Sequence, residues 1–211
     1  MPVRAKICGL STPETLDAAV RHGAAAIGLM FYPPSPRHLD FDQARALAVQ
    51  VPGHVAKVGV FVDPEDALID AAIAAAGLDT LQLHKVAPAR AAALKTRTGR
   101  EVWATVAVRT RADLAGAAAF TGAADRLLYD AKTPEGALPG GMGVRFDWRL
   151  LQGHAHPLPW ALSGGLDASN VAEAVATGGA RYVDVSSGVE SAPGVKDVDK
   201  IAAFLNALRP L

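Results

Sequence analysis

The chain has 211 residues, half of them hydrophobic and a fifth charged, enough for one sizeable core and too apolar for a disordered polymer. Its 21 basic and 21 acidic residues cancel, which excludes the broad positive field of a nucleic-acid or anionic-membrane binder, so any affinity for anions is local. The single cysteine, Cys8, excludes an internal disulfide framework and a thiolate-caged metal and fits a reducing compartment.

The N-terminal hexapeptide has no apolar stretch behind its charges, and the longest apolar run, residues 24–31, contains glycine and is too short to cross a bilayer. A cytoplasmic protein without a membrane partner is expected. Along the chain, short β-branched or apolar runs fall at residues 3–8, 25–31, 55–62, 80–83, 102–108, 126–129, 159–162 and 182–185, giving eight candidate strands. Between them apolar residues recur at helical spacing, as in Leu16, Ala19 and Val20 or Ala44, Leu47, Ala48 and Val51. Ser11-Thr12-Pro13-Glu14 carries a helix start signal, Asp63-Pro64-Glu65 and Asp167-Ala168-Ser169-Asn170 read similarly, and the alanines of residues 71–76 favour helix.

Strands that read as continuous apolar runs are covered on both faces, which implies a parallel sheet. Eight strand–helix repeats spaced by about 20 to 30 residues match a single-domain (β/α)8 TIM barrel over residues 1–211. A doubly wound open sheet is disfavoured because Ile7-Cys8-Gly9-Leu10-Ser11, after the first strand, lacks the Gly-x-Gly-x-x-Gly pattern.

Chemistry in such a barrel sits at the C-terminal strand ends. After the seventh strand, Ser163-Gly164-Gly165-Leu166 is expected to run into a helix beginning near Asp167, and after the eighth, Ser186-Ser187-Gly188 opens a turn. Glycine amides, serine hydroxyls and helix N-termini together form an anion cradle, so Gly164, Gly165, Ser186, Ser187 and Gly188 are the candidate phosphate site. Cys8 closes the first strand near Lys6, whose positive potential would lower the thiol pKa and make a base or nucleophile available. Asp130 closes an apolar run and reads equally as a cap or turn residue before Ala131-Lys132-Thr133-Pro134 and as a general acid, since burial there raises a carboxyl pKa. Arg37, behind Pro34-Ser35-Pro36, is either a solvated loop arginine or a rigidly presented carboxylate anchor of the bidentate kind. Gln82 and His84 end the fourth strand and Asp184 lies in the eighth; no histidine has matching carboxylates around it, so no catalytic metal is expected.

The strand-end motifs Lys6-Ile7-Cys8-Gly9, Phe31 with Ser35-Pro36-Arg37, Val58-Gly59-Val60-Phe61-Val62, Leu81-Gln82-Leu83-His84, Phe146-Asp147-Trp148, Ser163-Gly164-Gly165-Leu166 and Asp184-Val185-Ser186-Ser187-Gly188-Val189-Glu190 occur in the order and spacing of one family. The chain resembles the phosphoribosylanthranilate isomerases of tryptophan biosynthesis nearly end to end. The resemblance implies a cofactor-free Amadori rearrangement of a small-molecule substrate, N-(5-phosphoribosyl)anthranilate, to 1-(2-carboxyphenylamino)-1-deoxyribulose 5-phosphate, by a monomer or homodimer. It implies Cys8 as general base, Asp130 as general acid, Arg37 on the anthranilate carboxylate, further substrate contacts from Gln82, His84 and Asp184, and the glycine–serine loops on the phosphate. Two positions depart from the family pattern: Lys85 stands where glycine is usual, and Met142 of Gly140-Gly141-Met142-Gly143 where threonine is common. A sugar-phosphate epimerase, the histidine-pathway isomerase with an aspartate in place of Cys8, and a catalytically silent phosphosugar-binding barrel are the rival readings.

Overall fold

The structure, a computed structural model, describes residues 2–134 and 141–211. Eight parallel strands close into a barrel in chain order: β1 (Arg4–Cys8), β2 (Ala26–Met30), β3 (Ala56–Val62), β4 (Thr80–His84), β5 (Glu101–Val108), β6 (Arg126–Ala131), β7 (Trp160–Leu162) and β8 (Tyr182–Val185). Each lies within two residues of its expected bounds. β8 returns to β1 through the register Lys6↔Asp184.

Register decides which side chains face inward, because paired residues of neighbouring parallel strands point the same way. Starting from Cys8, paired with Gly28, the inward set runs through Val58 and Val60, Gln82 and His84, Trp103, Leu128 and Asp130, Ala161, Tyr182 and Asp184. The alternate residues, including Ile7, Ile27, Leu29, Phe61, Leu81, Leu83, Leu127, Tyr129 and Val183, are buried in the layer beneath the helices. The apolar runs therefore code for the outer layer, while polar chemistry occupies the inner one.

At the N-terminal end the barrel is filled. Trp103 and Tyr182 meet edge to face at 5.3 Å, and the Arg126 guanidinium lies over both rings, 5.1 and 4.9 Å from their centroids. Leu128 and Ala161 complete this buried floor.

The outer helices are α1 (Pro13–Arg21), α2 (Phe41–Ala48), α3 (Asp66–Ala76), α4 (Pro88–Thr98), α5 (Val171–Gly178) and α6 (Val198–Leu208). Thr12 caps α1 by accepting from the Thr15 N–H, with Pro13 in the first turn. Three expectations are corrected. α3 starts after Glu65 without a side-chain cap, since Asp63 adopts a left-handed φ of 43°. The connections after β5 and β6 carry 3-10 segments, Arg111–Phe120 and Trp148–Leu151, in place of α-helices. α5 begins at Val171, not near Asp167, because the Asp167 carboxylate draws the N–H groups of Ser169 and Asn170 into a separate turn. Past β8, the antiparallel hairpin β9 (Glu190–Ala192) and β10 (Val195–Lys196) is an addition to the eight-unit pattern. No helix among the described residues is long and apolar enough to cross a membrane.

Candidate active site

The C-terminal strand ends form a pocket to which Cys8, Arg37, Gln82, His84, Asp130 and Asp184 all contribute. It continues into a second lobe lined by Gly164, Gly165, Ser186 and Ser187, and Asp130, Ser163 and Asp184 border both. The structure thus gathers the expected acid, thiol and arginine at one mouth. Gly188 stands behind them: a Cβ there would fall 1.8 Å from the Leu166 carbonyl oxygen, so the bare backbone lets the two loops touch. Gly140 lies outside the described residues; Met142 borders the second lobe and is exposed.

The thiol of Cys8 is buried beside Lys6, which precedes it by two residues on the same inward face. Room for both comes from Gly28, where a Cβ would lie 2.9 Å from the Cys8 sulfur and 3.1 Å from Lys6 Nζ. Lys6 is fully buried and ion-paired to Asp184 at 2.7 Å. Burial alone would lower the Lys6 pKa, yet the negative charge of Asp184 and the neighbouring Cys8 hold it above its ordinary value. The expectation for Cys8 needs correction. Burial pushes the thiol up, and Lys6 and Lys196, which pull it down, do not reverse the effect.

Asp130 is 6% exposed, and its carboxylate accepts from the Ala131 N–H at 2.9 Å. Burial and the nearby Asp184 charge push its pKa up to about 7, against the opposing pull of the Ala131 N–H and Lys6. The group therefore keeps its proton to a far higher pH than an ordinary aspartate. Gly164 makes the close approach possible, since a Cβ there would lie 2.8 Å from the Ala131 nitrogen and 3.1 Å from Asp130 Oδ1.

His84 is neutral: burial and the Lys6 charge lower its pKa to about 4. Gln82 Nε2 donates to His84 Nε2 at 3.0 Å, which assigns the ring proton to Nδ1. Gln82 Oε1 is buried without a partner among the described residues, leaving an acceptor for a ligand. Asp184, expected to touch substrate, already engages Lys6 and accepts from Ser163 Oγ at 3.2 Å.

In the second lobe, Gly164 and Gly165 have φ of 89° and 62°. Their N–H groups find no acceptor among the described residues. The Ser186 hydroxyl donates to the Cys8 carbonyl at 3.2 Å and accepts from Lys196 at 3.1 Å. The Ser186 hydroxyl is thus engaged, and the donors left open in this lobe are chiefly backbone amides.

Arg37 is buried rather than solvated, and its fork is occupied. Nε and Nη2 donate to the two Glu190 oxygens at 2.7 and 2.8 Å, and Nη2 also to the Gly141 carbonyl at 3.0 Å. A bidentate grip on a substrate carboxylate is not open in this arrangement; Nη1 is the nitrogen left without an acceptor among the described residues. Glu190 also accepts from Lys196 at 2.6 Å, and burial of Glu190 is outweighed by these two cations, which hold its pKa low. The sequence alone assigns no role to Gly28, Glu190 or Lys196, places Ser163 only within the cradle motif and gives Lys6 only as a neighbour. Of these, Lys6 had a visible signal, a charge two residues before Cys8 in an apolar strand.

Fold and pocket define a TIM-barrel protein with a buried carboxyl and a thiol sharing one mouth and a lobe of glycine and serine loops beside them. More narrowly, the chain belongs to the N-(5'phosphoribosyl)anthranilate (PRA) isomerase family, whose model matches residues 5–207. It is 54% identical to the N-(5'-phosphoribosyl)anthranilate isomerase of Zymomonas mobilis subsp. mobilis over the full length of both chains. With the same-named protein of Paramagnetospirillum magneticum the identity is 51%, over 99% of this chain and 98% of the relative. Among solved structures it is similar to phosphoribosyl anthranilate isomerase from Thermotoga maritima, with a TM-score of 0.87 and 34% identity over 99% and 100% of the two chains. A phosphoribosyl anthranilate isomerase in complex with reduced 1-(o-carboxyphenylamino)-1-deoxyribulose 5-phosphate has a TM-score of 0.85 and 32% identity over 99% and 100%.

Proposed function

We propose that the whole chain is one catalytic unit that rearranges N-(5'-phosphoribosyl)anthranilate to 1-(2-carboxyphenylamino)-1-deoxyribulose 5-phosphate in tryptophan biosynthesis, with Asp130 as general acid and Cys8 as general base. One observation carries the assignment of roles: a carboxyl with a pKa of about 7 and a thiol border the same buried pocket, between an amide-rich lobe and Arg37.

Asp130 gives its proton to the furanose ring oxygen, the C1–oxygen bond breaks, and the ring opens to a protonated Schiff base. Cys8, in the thiolate form that Lys6 and Lys196 support against the cost of burial, then takes the proton from C2, and the electron pair released forms the C1–C2 double bond of an enolamine. Cys8 then returns that proton to C1 while the enol hydroxyl gives its proton to the Asp130 carboxylate, which leaves the C2 ketone, restores both groups and needs no co-reactant. The phosphate occupies the lobe of Gly164, Gly165, Ser186, Ser187 and Gly188, and Arg37 faces the carboxylate through Nη1. Holding both anionic ends fixes the ribose carbons between acid and base, and positioning of this kind lowers a barrier by as much as about 7 to 11 kcal/mol. Gln82 Oε1 and neutral His84 are the remaining polar contacts, and Asp184 acts through Lys6 and Ser163.

All of this machinery belongs to one chain, compatible with a monomer or homodimer; the related protein of Thermotoga maritima is described as dimeric. The free thiol suits the cytoplasm. The test follows the loss of anthranilate fluorescence as freshly made phosphoribosylanthranilate is consumed. Cys8→Ser and Asp130→Asn should each lower kcat by at least about 100-fold in folded protein, and near-normal turnover in either would remove that residue from the mechanism.

A further inference from the structure

We propose that Glu190 and Lys196, one in each strand of the β9–β10 hairpin, form a clamp that sets both the orientation and the net charge of the Arg37 site. The inference rests on Arg37 facing the substrate carboxylate.

The hairpin contributes no strand to the barrel. It packs on the loop that presents Arg37: a Cβ at Gly194 would lie 2.6 Å from the Pro36 carbonyl oxygen, and the Gly194 N–H donates to Glu190 Oε2 at 3.2 Å. From beneath, a Cβ at Gly9 would come within 2.6 Å of Arg37 Cδ. Arg37 is thus held along its whole length.

Burying an ion pair is a poor source of stability, because desolvation offsets most of the attraction. Three buried charges in contact call for another reason. Glu190 receives Nε and Nη2 of the guanidinium, and a planar fork held by two parallel bonds cannot turn about its axis. Nη1 is thereby fixed in place. A carboxylate bound to arginine alone would also cancel its charge and leave a neutral site. Lys196, at 2.6 Å from Glu190 Oε1, restores a net positive charge to the cluster. Lys196 Nζ further donates to the Ser186 carbonyl at 2.9 Å, and Ser186 Oγ donates to the carbonyl of Cys8. One network therefore joins the carboxylate end of the pocket to the strand that carries the thiol.

The experiment compares two ligands by titration calorimetry: reduced 1-(o-carboxyphenylamino)-1-deoxyribulose 5-phosphate, and the same molecule without its carboxylate. The ratio of their affinities isolates the carboxylate, because general damage to the barrel or the phosphate lobe weakens both alike. Lys196→Met, which leaves the fork in place and removes the restoring charge, should reduce that ratio at least tenfold, and Arg37→Ala should abolish it. The double variant Glu190→Gln/Lys196→Met, which keeps the net charge of the cluster and removes the charged fork, should act in the same direction and tests orientation alone; Lys196→Met carries the test if the double variant does not fold. A ratio within twofold of the unsubstituted protein in the clamp variant, with the ratio lost in Arg37→Ala, overturns the clamp and leaves the Arg37 reading standing. A ratio unchanged in Arg37→Ala overturns the carboxylate reading and the clamp with it.

Discussion

Replacing Asp130 by asparagine should stabilise the protein at alkaline pH while removing its activity. In the folded chain the carboxyl titrates near 7 because it is buried and faces Asp184, whereas an unperturbed aspartate titrates near about 3.9. A folded-state pKa above the unfolded one means that the native state prefers the proton. The benefit is fully present below about pH 4, declines as pH rises, and is gone above about pH 7, where the buried group must ionise. Three units at about 1.36 kcal/mol each give about 4 kcal/mol. Water entering through the open mouth offsets part of that, so about 2 to 4 kcal/mol is expected. Asparagine keeps an acceptor for the Ala131 N–H, which donates to Asp130 at 2.9 Å, and never ionises. Thermal unfolding at pH 4.5 and pH 8.5 reads the difference: at about 2 to 4 °C per kcal/mol for a chain of this size, the variant should melt about 4 to 16 °C above the unsubstituted protein at pH 8.5 and nearly level with it at pH 4.5. An equal offset at both pH values would refute a buried, proton-retaining acid.

Three further outcomes follow from the same pocket. Gly28→Ala places a methyl group 3.0 Å from the backbone Cα of Cys8, which cannot yield, so a stability loss of about 1 to 3 kcal/mol by urea unfolding is expected, with kcat down at least tenfold; unchanged kcat would show that the thiol position is not critical. Lys85 has a φ of 55°, in a region that costs a non-glycine residue roughly 1 to 2 kcal/mol, so Lys85→Gly should raise Tm with kcat/KM kept within twofold, and a lower Tm would contradict that account. Lys6→Met leaves the buried Asp184 charge alone and should cost about 3 to 5 kcal/mol. Because the thiol then loses its nearest cation, iodoacetamide alkylation of Cys8 should require a higher pH, and an unshifted profile would dismiss Lys6 as its electrostatic partner.

The strands were legible because burial beneath the helices writes itself into every second residue, as Ile7, Ile27, Leu81, Leu83 and Leu127 do. Strand-end positions followed from the strands, which is why Cys8, Gln82, His84 and Asp130 could be named before any coordinates. Local conformation was less visible: Asp63 turns left-handed and caps nothing, and the segment Arg111–Phe120, with Gly116 in it, winds as 3-10 despite a Thr110–Asp113 capping box. Least legible were the partners of the charges. Arg37 meets Glu190 across 153 positions of sequence, and Lys6 meets Asp184 only because the barrel closes β1 against β8. Periodicity reports the environment of a residue along its own element, whereas such pairs depend on ring closure. The thiol pKa was misjudged for a related reason, since a sequence displays the charges near Cys8 but not the depth at which they act.

The packed floor of Trp103, Tyr182 and Arg126 makes the barrel a blind vessel rather than a conduit. Whatever enters past the upper loops departs by the same route, so an unreleased product bars the next molecule outright. Exchange at that one doorway, and the loops that frame it, therefore sets a ceiling on the pace of the whole cycle however fast the proton transfers run.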